Sequence, residues 1–111
     1  MARLNYVELA VADTEAVRAF YERVFDWSLT TFGPTYAATT SGDTDIGLQG
    51  DAAEATQAPL PVIEVDDLDA ALDAVWQAGG TIVRPTFAFP GGRRFQFRDP
   101  AGNELACVKT D

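Results

Sequence analysis

The 111-residue sequence contains no histidine, which removes the commonest general base and the commonest metal ligand together. It holds a single cysteine, so no intrachain disulfide can form and the chain does not read as a stapled secreted domain. That thiol, Cys107, lies in the apolar run Leu105-Ala106-Cys107-Val108, a setting that suits a small core residue better than a nucleophile. Basic residues are scarce: 8 Lys and Arg against 17 Asp and Glu give a net charge of −9. Such a field repels polyphosphate backbones and anionic lipid surfaces, so neither nucleic acid nor membrane is an expected partner. No uninterrupted hydrophobic run is long enough to span a bilayer, and Glu8 puts a charge into the first apolar stretch. A cytoplasmic protein is the expectation.

What remains is the composition of a globular protein, 47% hydrophobic and 23% charged, with no bias toward disorder. A chain of this length buries roughly 60 to 70% of its unfolded surface, enough for one domain over residues 1–111.

Residues 4–11 alternate, with Val7, Leu9 and Val11 on one side and Tyr6, Glu8 and Ala10 on the other, the pattern of a strand packed on one face. Asp13 is a plausible N-cap, and Val17, Phe20, Tyr21 and Val24 form an i, i+3, i+4, i+7 stripe that predicts a helix to about Phe25 with this face on the strand. Three short segments follow, about Trp27 to Phe32, Thr35 to Thr40 and Asp45 to Gln49, separated by Gly33-Pro34 and Ser41-Gly42-Asp43. Both separators are turn chemistry, so a meander of strands is expected.

Residues 50–59 carry almost no large apolar side chain and read as a connector. The order then restarts. Leu60 to Val65 is a strand, Asp66 or Asp67 caps a second helix with the stripe Leu68, Ala71, Leu72 and Val75, and Gly79-Gly80 ends it. Thr81 to Arg84, Arg93 to Arg98 and Glu104 to Val108 are expected strands, the last two joined by the turn Asp99-Pro100-Ala101-Gly102-Asn103. A shift of 54 residues lays Asp67 on Asp13, Val65 on Val11, Ile63 on Leu9 and Gly80 on Asp26, as in a duplicated unit. The alternative is a ferredoxin-like β-α-β domain without duplication.

Three motifs resemble the vicinal oxygen chelate family of glyoxalases, bleomycin-resistance proteins and dioxygenases. They are Val11-Ala12-Asp13 with Ala19-Phe20-Tyr21 and Val24-Phe25-Asp26-Trp27, then Val65-Asp66-Asp67-Leu68 with Ala78-Gly79-Gly80-Thr81, and finally Asp99-Pro100-Ala101-Gly102-Asn103. The resemblance implies an α+β fold of two β-α-β-β-β modules, about 4–49 and about 60–108, forming a curved, half-open mixed sheet with one helix outside each module. It also implies a homodimer. Metal-binding members carry His, Gln or Glu on the first and last strand of each module. Those positions fall here on Tyr6, Leu60, Gly47 and Ala106. Leucine, glycine and alanine have no donor, so neither a metal cofactor nor metal-dependent lyase or dioxygenase chemistry is expected.

Strand alternation turns Tyr6, Glu8, Leu60, Val62, Glu64, Arg94, Gln96, Arg98, Glu104, Ala106 and Val108 toward the concave face, with Tyr36 and Trp27 available to stack on a flat ligand. Tyr6, Glu8, Tyr36, Leu60, Val62, Arg94, Gln96 and Ala106 are therefore the candidate ligand residues, and no catalytic residue is assigned. Glu8 reads either as a ligand or base carboxylate or, preferably, as a structural partner of Arg94 or Arg98. The leading expectation is a metal-free small-molecule binding protein with a cleft between modules or subunits. The alternatives are a lyase or isomerase using Glu8 and Tyr6, and a non-catalytic dimerising module.

Overall fold

A computed structural model describes residues 2–111. Its fold is α+β, with eight strands and two helices. The chain divides into two units, one covering Tyr6–Leu60 and the other covering Pro61–Asp111 with residues 2–5.

β1 (Arg3–Ala10), which belongs to the first unit from Tyr6 on, leads to α1 (Thr14–Phe25), then to β2 (Thr30–Thr31), β3 (Tyr36–Ala38) and β4 (Asp45–Gln49). β1 runs parallel to β4, while β4 with β3 and β3 with β2 are antiparallel. Asp13 caps α1 as expected: its backbone is extended and its side chain accepts from Ala16 N at 3.0 Å. The helix ends on Asp26, which adopts φ 59 and donates its N–H to Glu22 O.

The other unit repeats this plan. β5 (Leu60–Glu64) is followed by α2 (Leu68–Gln77), β6 (Thr81–Phe89), β7 (Gly92–Arg98) and β8 (Glu104–Thr110). β5 is parallel to β8, and β8 with β7 and β7 with β6 are antiparallel. Asp67, not Asp66, caps α2, accepting from Ala70 N at 3.0 Å. The two caps have nearly superposable backbones, φ −133 and ψ 96 at Asp13 against φ −132 and ψ 102 at Asp67. Val11 N donates to Gln49 O just as Val65 N donates to Val108 O. Positions 54 apart thus do the same local work, except at the helix ends, where positive φ falls on Gly79 and not on Gly80.

The cores lie between each helix and its own strands. Leu29, Ala37 and Leu48 are packed by Leu9, Val11, Val17 and Tyr21, while Leu68, Phe95 and Cys107 are packed by residues that include Ile63, Ala71, Leu72 and Val75. The whole stripe predicted for α2 is used. That of α1 is only half used: Phe20 and Val24 are 57% and 53% exposed. Residues 17 and 21 share one i, i+4 row, and once that row faces the sheet the row of 20 and 24 is turned outward.

Two strands differ from expectation. The segment expected from Trp27 keeps only Thr30–Thr31 as strand. The Leu29 N–H bonds the Glu22 carboxylate at 2.9 Å instead of joining a ladder, and Trp27 stacks on Phe25 and Tyr21 at 5.0 and 5.8 Å, so it covers the helix end. β6 continues past Arg84 to Phe89, with register shifts on either side of Arg84. Pro85 lacks the N–H that the ladder needs, and an edge strand tolerates that loss. Among the described residues, no helix is long and apolar enough to cross a membrane.

Candidate functional site

In the first unit, Leu9, Ala37 and Leu48 point at α1, so alternation sends Tyr6, Glu8, Tyr36, Ala38 and Gly47 to the opposite face. Pairing brings these residues together. Glu8 lies beside Gly47 across β1 and β4, Gly47 beside Ala38 across β4 and β3, and Tyr36 one step along β3. Residues distant in sequence therefore share a patch about three strands wide.

The polar atoms of this patch are hydrogen-bonded in a row. The Tyr36 hydroxyl donates to Glu8 Oε1 at 3.0 Å and lies 2.5 Å from the Tyr6 hydroxyl. A phenol has one proton, so when Tyr36 gives its own to Glu8, its oxygen accepts from Tyr6. Glu8 is only 4% exposed, and a carboxylate so enclosed is stabilised by such a donor. Burial, then the Glu8 carboxylate, then Tyr6, push the Tyr36 hydroxyl far above the ordinary phenol range. At neutral pH it is a donor and not a phenolate.

Gly47 makes this arrangement fit. A Cβ there would lie 2.0 Å from the Tyr6 hydroxyl, 2.2 Å from that of Tyr36 and 2.8 Å from Tyr6 Cζ. The hydroxyls occupy the volume that a side chain at 47 would need. The resemblance puts a metal donor at this position in metal-binding relatives, and here the space is filled by two neutral oxygens. Leu60, Gly47 and Ala106 offer no donor atom, and a protonated tyrosine is a poor ligand for a divalent cation. Among the described residues no three His, Cys, Asp or Glu side chains gather into a metal-binding group. These residues do not fit the family's metal.

Apart from Leu60, which ends the first unit, the remaining candidates lie on the other unit or inside it. Phe95 and Phe97 pack toward α2, which leaves Arg94 and Gln96 on the opposite face. There Arg94 Nη2 donates to Gln96 Oε1 at 3.3 Å, and Gln96 Nε2 donates to Glu104 Oε2 at 2.7 Å. Arg98, one of the two partners expected for Glu8, instead meets Glu104 at 3.8 Å. Leu60, Val62 and Ala106 are enclosed, with at most 3% exposure. Trp27 belongs to the aromatic stack at the end of α1 and not to the Tyr6 patch.

Sequence reasoning did not anticipate two features. Gly47 counts there only as a missing donor, whereas its missing side chain is what admits the hydroxyls. The Arg84 guanidinium also lies 3.6 Å over the Phe87 ring, with that of Arg94 5.3 Å from the same ring. Ending β6 at Arg84 hides this stack, because Phe87 meets Arg94 only if the strand continues. An open groove of about 530 Å³ lies at the end of β1, lined by Ala10, Val11, Ala12, Gly50, Ala55 and Thr56 among others, and by none of the candidates.

The sequence pattern that describes the Glyoxalase/Bleomycin resistance protein/Dioxygenase superfamily matches residues 3–107. The CFP32 proteins of Mycobacterium bovis and Mycobacterium tuberculosis, provisionally named glyoxylases, are 30% identical over 109 residues. That match takes in 88% of this chain but 42% of theirs, so the chain spans less than half the length of these relatives. A superfamily member from Vibrio splendidus has the same fold with TM-score 0.71 at 17% identity, covering 100% of both chains. A Mn(II)-bound glyoxalase from Novosphingobium aromaticivorans matches at TM-score 0.71 and 21% identity, over 98% of this chain and 40% of its own.

Proposed function

The chain belongs to the glyoxalase/bleomycin resistance protein/dioxygenase superfamily, and on that premise we propose that it binds a small organic molecule at the Tyr6–Tyr36–Glu8 patch without a divalent metal. One observation carries this reading: the hydroxyls of Tyr6 and Tyr36, anchored on buried Glu8, fill the space beside Gly47. Hydrogen bonding to a ligand's oxygen or nitrogen then takes the place of coordination. The patch combines two aromatic rings with a few fixed polar atoms, the usual make-up of a small-molecule site. The names of the CFP32 proteins and of the Mn(II)-bound glyoxalase suggest small oxygenated compounds as the class to try first. With its net charge of −9 the chain is read as a cytoplasmic protein without nucleic-acid or membrane partners.

The test is a thermal-shift screen of a metabolite library, run with and without a chelator, beside elemental analysis of the purified protein. A ligand at 100 times its dissociation constant adds about 2.7 kcal/mol of stability. The expected result is a shift that the chelator leaves intact. One stoichiometric divalent metal per chain would refute the reading.

A second reading is favoured by the continuity of the same row. Tyr6, Tyr36 and Glu8 form an unbroken hydrogen-bonded path along which a proton could pass from a ligand to the carboxylate. In that case the protein is a lyase or isomerase using Glu8 and Tyr6. A Glu8→Gln variant that kept full turnover of an identified substrate would eliminate it.

A further inference from the structure

Two phenols and a carboxylate in one row have two hydroxyl protons between them, and the carboxylate decides where both go. As a carboxylate, Glu8 can only accept, so the Tyr36 proton lies on the 3.0 Å bond to Glu8 Oε1. The Tyr36 oxygen then faces Tyr6 across 2.5 Å with no proton of its own to offer, and the proton in that gap belongs to Tyr6. Burial and the Glu8 charge push the Tyr36 hydroxyl upward, so it keeps its proton and the direction of the row holds at neutral pH. Tyr6 therefore presents lone pairs to a ligand and not a hydroxyl proton. Each bond in such a row polarises the next, which makes the Tyr6 oxygen a stronger acceptor than an ordinary phenol. The opposite orientation is costly. If Tyr6 turned its proton toward a ligand, two oxygens 2.5 Å apart would face each other with no proton between them.

We infer that the patch selects ligands by what they donate: the Tyr6 hydroxyl oxygen is a specificity-determining acceptor for an alcohol, a phenol or a protonated amine. Ketones, aldehydes, ethers and carboxylates bring only lone pairs and are disfavoured. The inference rests on the reading of this patch as the ligand site and names the ligand class for it. It reverses the preference that a metal would impose. A divalent cation is a Lewis acid that takes lone pairs from a ligand's oxygen, whereas an acceptor oxygen takes a ligand's proton. With the hydroxyls in the space beside Gly47, a ligand meets Tyr6 with its donor foremost. The half-buried rings of Tyr6 and Tyr36 supply apolar surface suited to an aryl group beside that donor.

The experiment titrates four probes built on one phenyl group into the full chain at neutral pH. Benzyl alcohol and benzylammonium carry a donor; benzyl methyl ether and acetophenone carry only acceptors. Binding is read by NMR of isotopically labelled tyrosine rings, with probe added to about 10 mM so that millimolar dissociation constants are measurable. The chain has three tyrosines, and Tyr21, stacked on Trp27 at the end of α1, is the internal control. The neutral pair of alcohol and ether decides, because a net charge of −9 favours any cation. The expected result is that the alcohol and the ammonium move the Tyr6 and Tyr36 resonances but not those of Tyr21. Their dissociation constants are at least about tenfold below those of the ether and the ketone. Tyr6→Phe keeps the ring and lowers that ratio to less than about threefold. Glu8→Gln lowers it as far without removing a hydroxyl, because an amide N–H can donate to Tyr36 and reverse the row. Ether or ketone binding at Tyr6 and Tyr36 as tightly as the alcohol overturns the inference and leaves the patch standing as a ligand site. So does a Tyr6→Phe or a folded Glu8→Gln protein that keeps the preference of about tenfold. If all four probes leave Tyr6 and Tyr36 unmoved, the reading of the patch as a ligand site falls and the inference falls with it.

Discussion

Replacing Gly47 by alanine adds one methyl group at the point where the Tyr6 and Tyr36 hydroxyls converge. The new Cβ would lie 2.0 and 2.2 Å from the two oxygens and 2.8 Å from Tyr6 Cζ, so the tyrosines have to move. A hydroxyl at the end of a side chain can often yield cheaply, but here one is bonded to a carboxylate that is 4% exposed and the other is bonded to the first. Moving them takes the Tyr36 hydroxyl away from the Glu8 carboxylate. Overpacking costs about 1 to 3 kcal/mol, and losing a hydrogen bond to a buried charge costs about 1.5 to 3 kcal/mol. Alanine recovers roughly 0.4 to 1 kcal/mol by restricting the unfolded chain. The expected net loss is about 3 kcal/mol.

The assay is urea denaturation of four proteins: the parent, Gly47→Ala, the Tyr6→Phe and Tyr36→Phe double variant, and the triple variant. Without the hydroxyls the two shortest contacts are gone and the Tyr6 ring carbon at 2.8 Å remains, so the cost of the methyl group falls to about 1 kcal/mol. The cycle should therefore show a coupling of about 2 kcal/mol between position 47 and the hydroxyl pair. Equal costs in both backgrounds, or a Gly47→Ala loss below about 0.5 kcal/mol, would mean that the hydroxyls are not held beside Gly47.

Three further outcomes are expected. Asp13→Ala and Asp67→Ala each remove the acceptor of one helix-terminal N–H and should each cost about 1 kcal/mol by chemical denaturation; unequal effects would argue against equivalence of the two caps. Asp26→Gly relieves φ 59 at the end of α1 and should raise stability by about 0.5 to 1 kcal/mol, whereas alanine at Gly79, with φ 95, should lower it. Burial pushes the Cys107 thiol from 9.0 up to about 11, so the folded protein holds this proton more tightly than the unfolded chain. The associated stability is complete below pH 9 and is lost as pH rises through about 11, a fall of roughly 2 to 3 kcal/mol. Cys107→Ala should lose correspondingly less over that range, and an identical alkaline slope in both proteins would contradict the assignment.

Features decided within a few residues were legible in the sequence. Asp13 and Asp67 cap their helices because a short carboxylate reaches an N–H three residues on, whatever lies elsewhere in the chain. The turn at Asp99 is equally local: its carboxylate accepts from Ala101 N and Asn103 N, and Gly102 supplies the positive φ. Where geometry depended on a distant partner, the same reasoning stopped short. The α1 stripe could not say which of its two rows would face the sheet, and a strand expected to end at Arg84, just before Pro85, did not extend to Phe87.

The candidate site shows why this limit matters for function. Alternation alone places Tyr6 and Glu8 on one face, but Tyr36 reaches them only because β4 lies between β1 and β3. The residue of β4 on that row is the one without a side chain. A glycine inside the apolar strand Ile46-Gly47-Leu48 weakens the strand on its own account, so something must offset the loss. The resemblance implies that in metal-binding members the same position carries a donor. Here it is useful for the volume it leaves, and a sequence read for ligating atoms registers such a position only as empty. The chemistry of the patch therefore follows from two tyrosines far apart in sequence occupying that volume together, and any residue larger than glycine at 47 would separate them from Glu8.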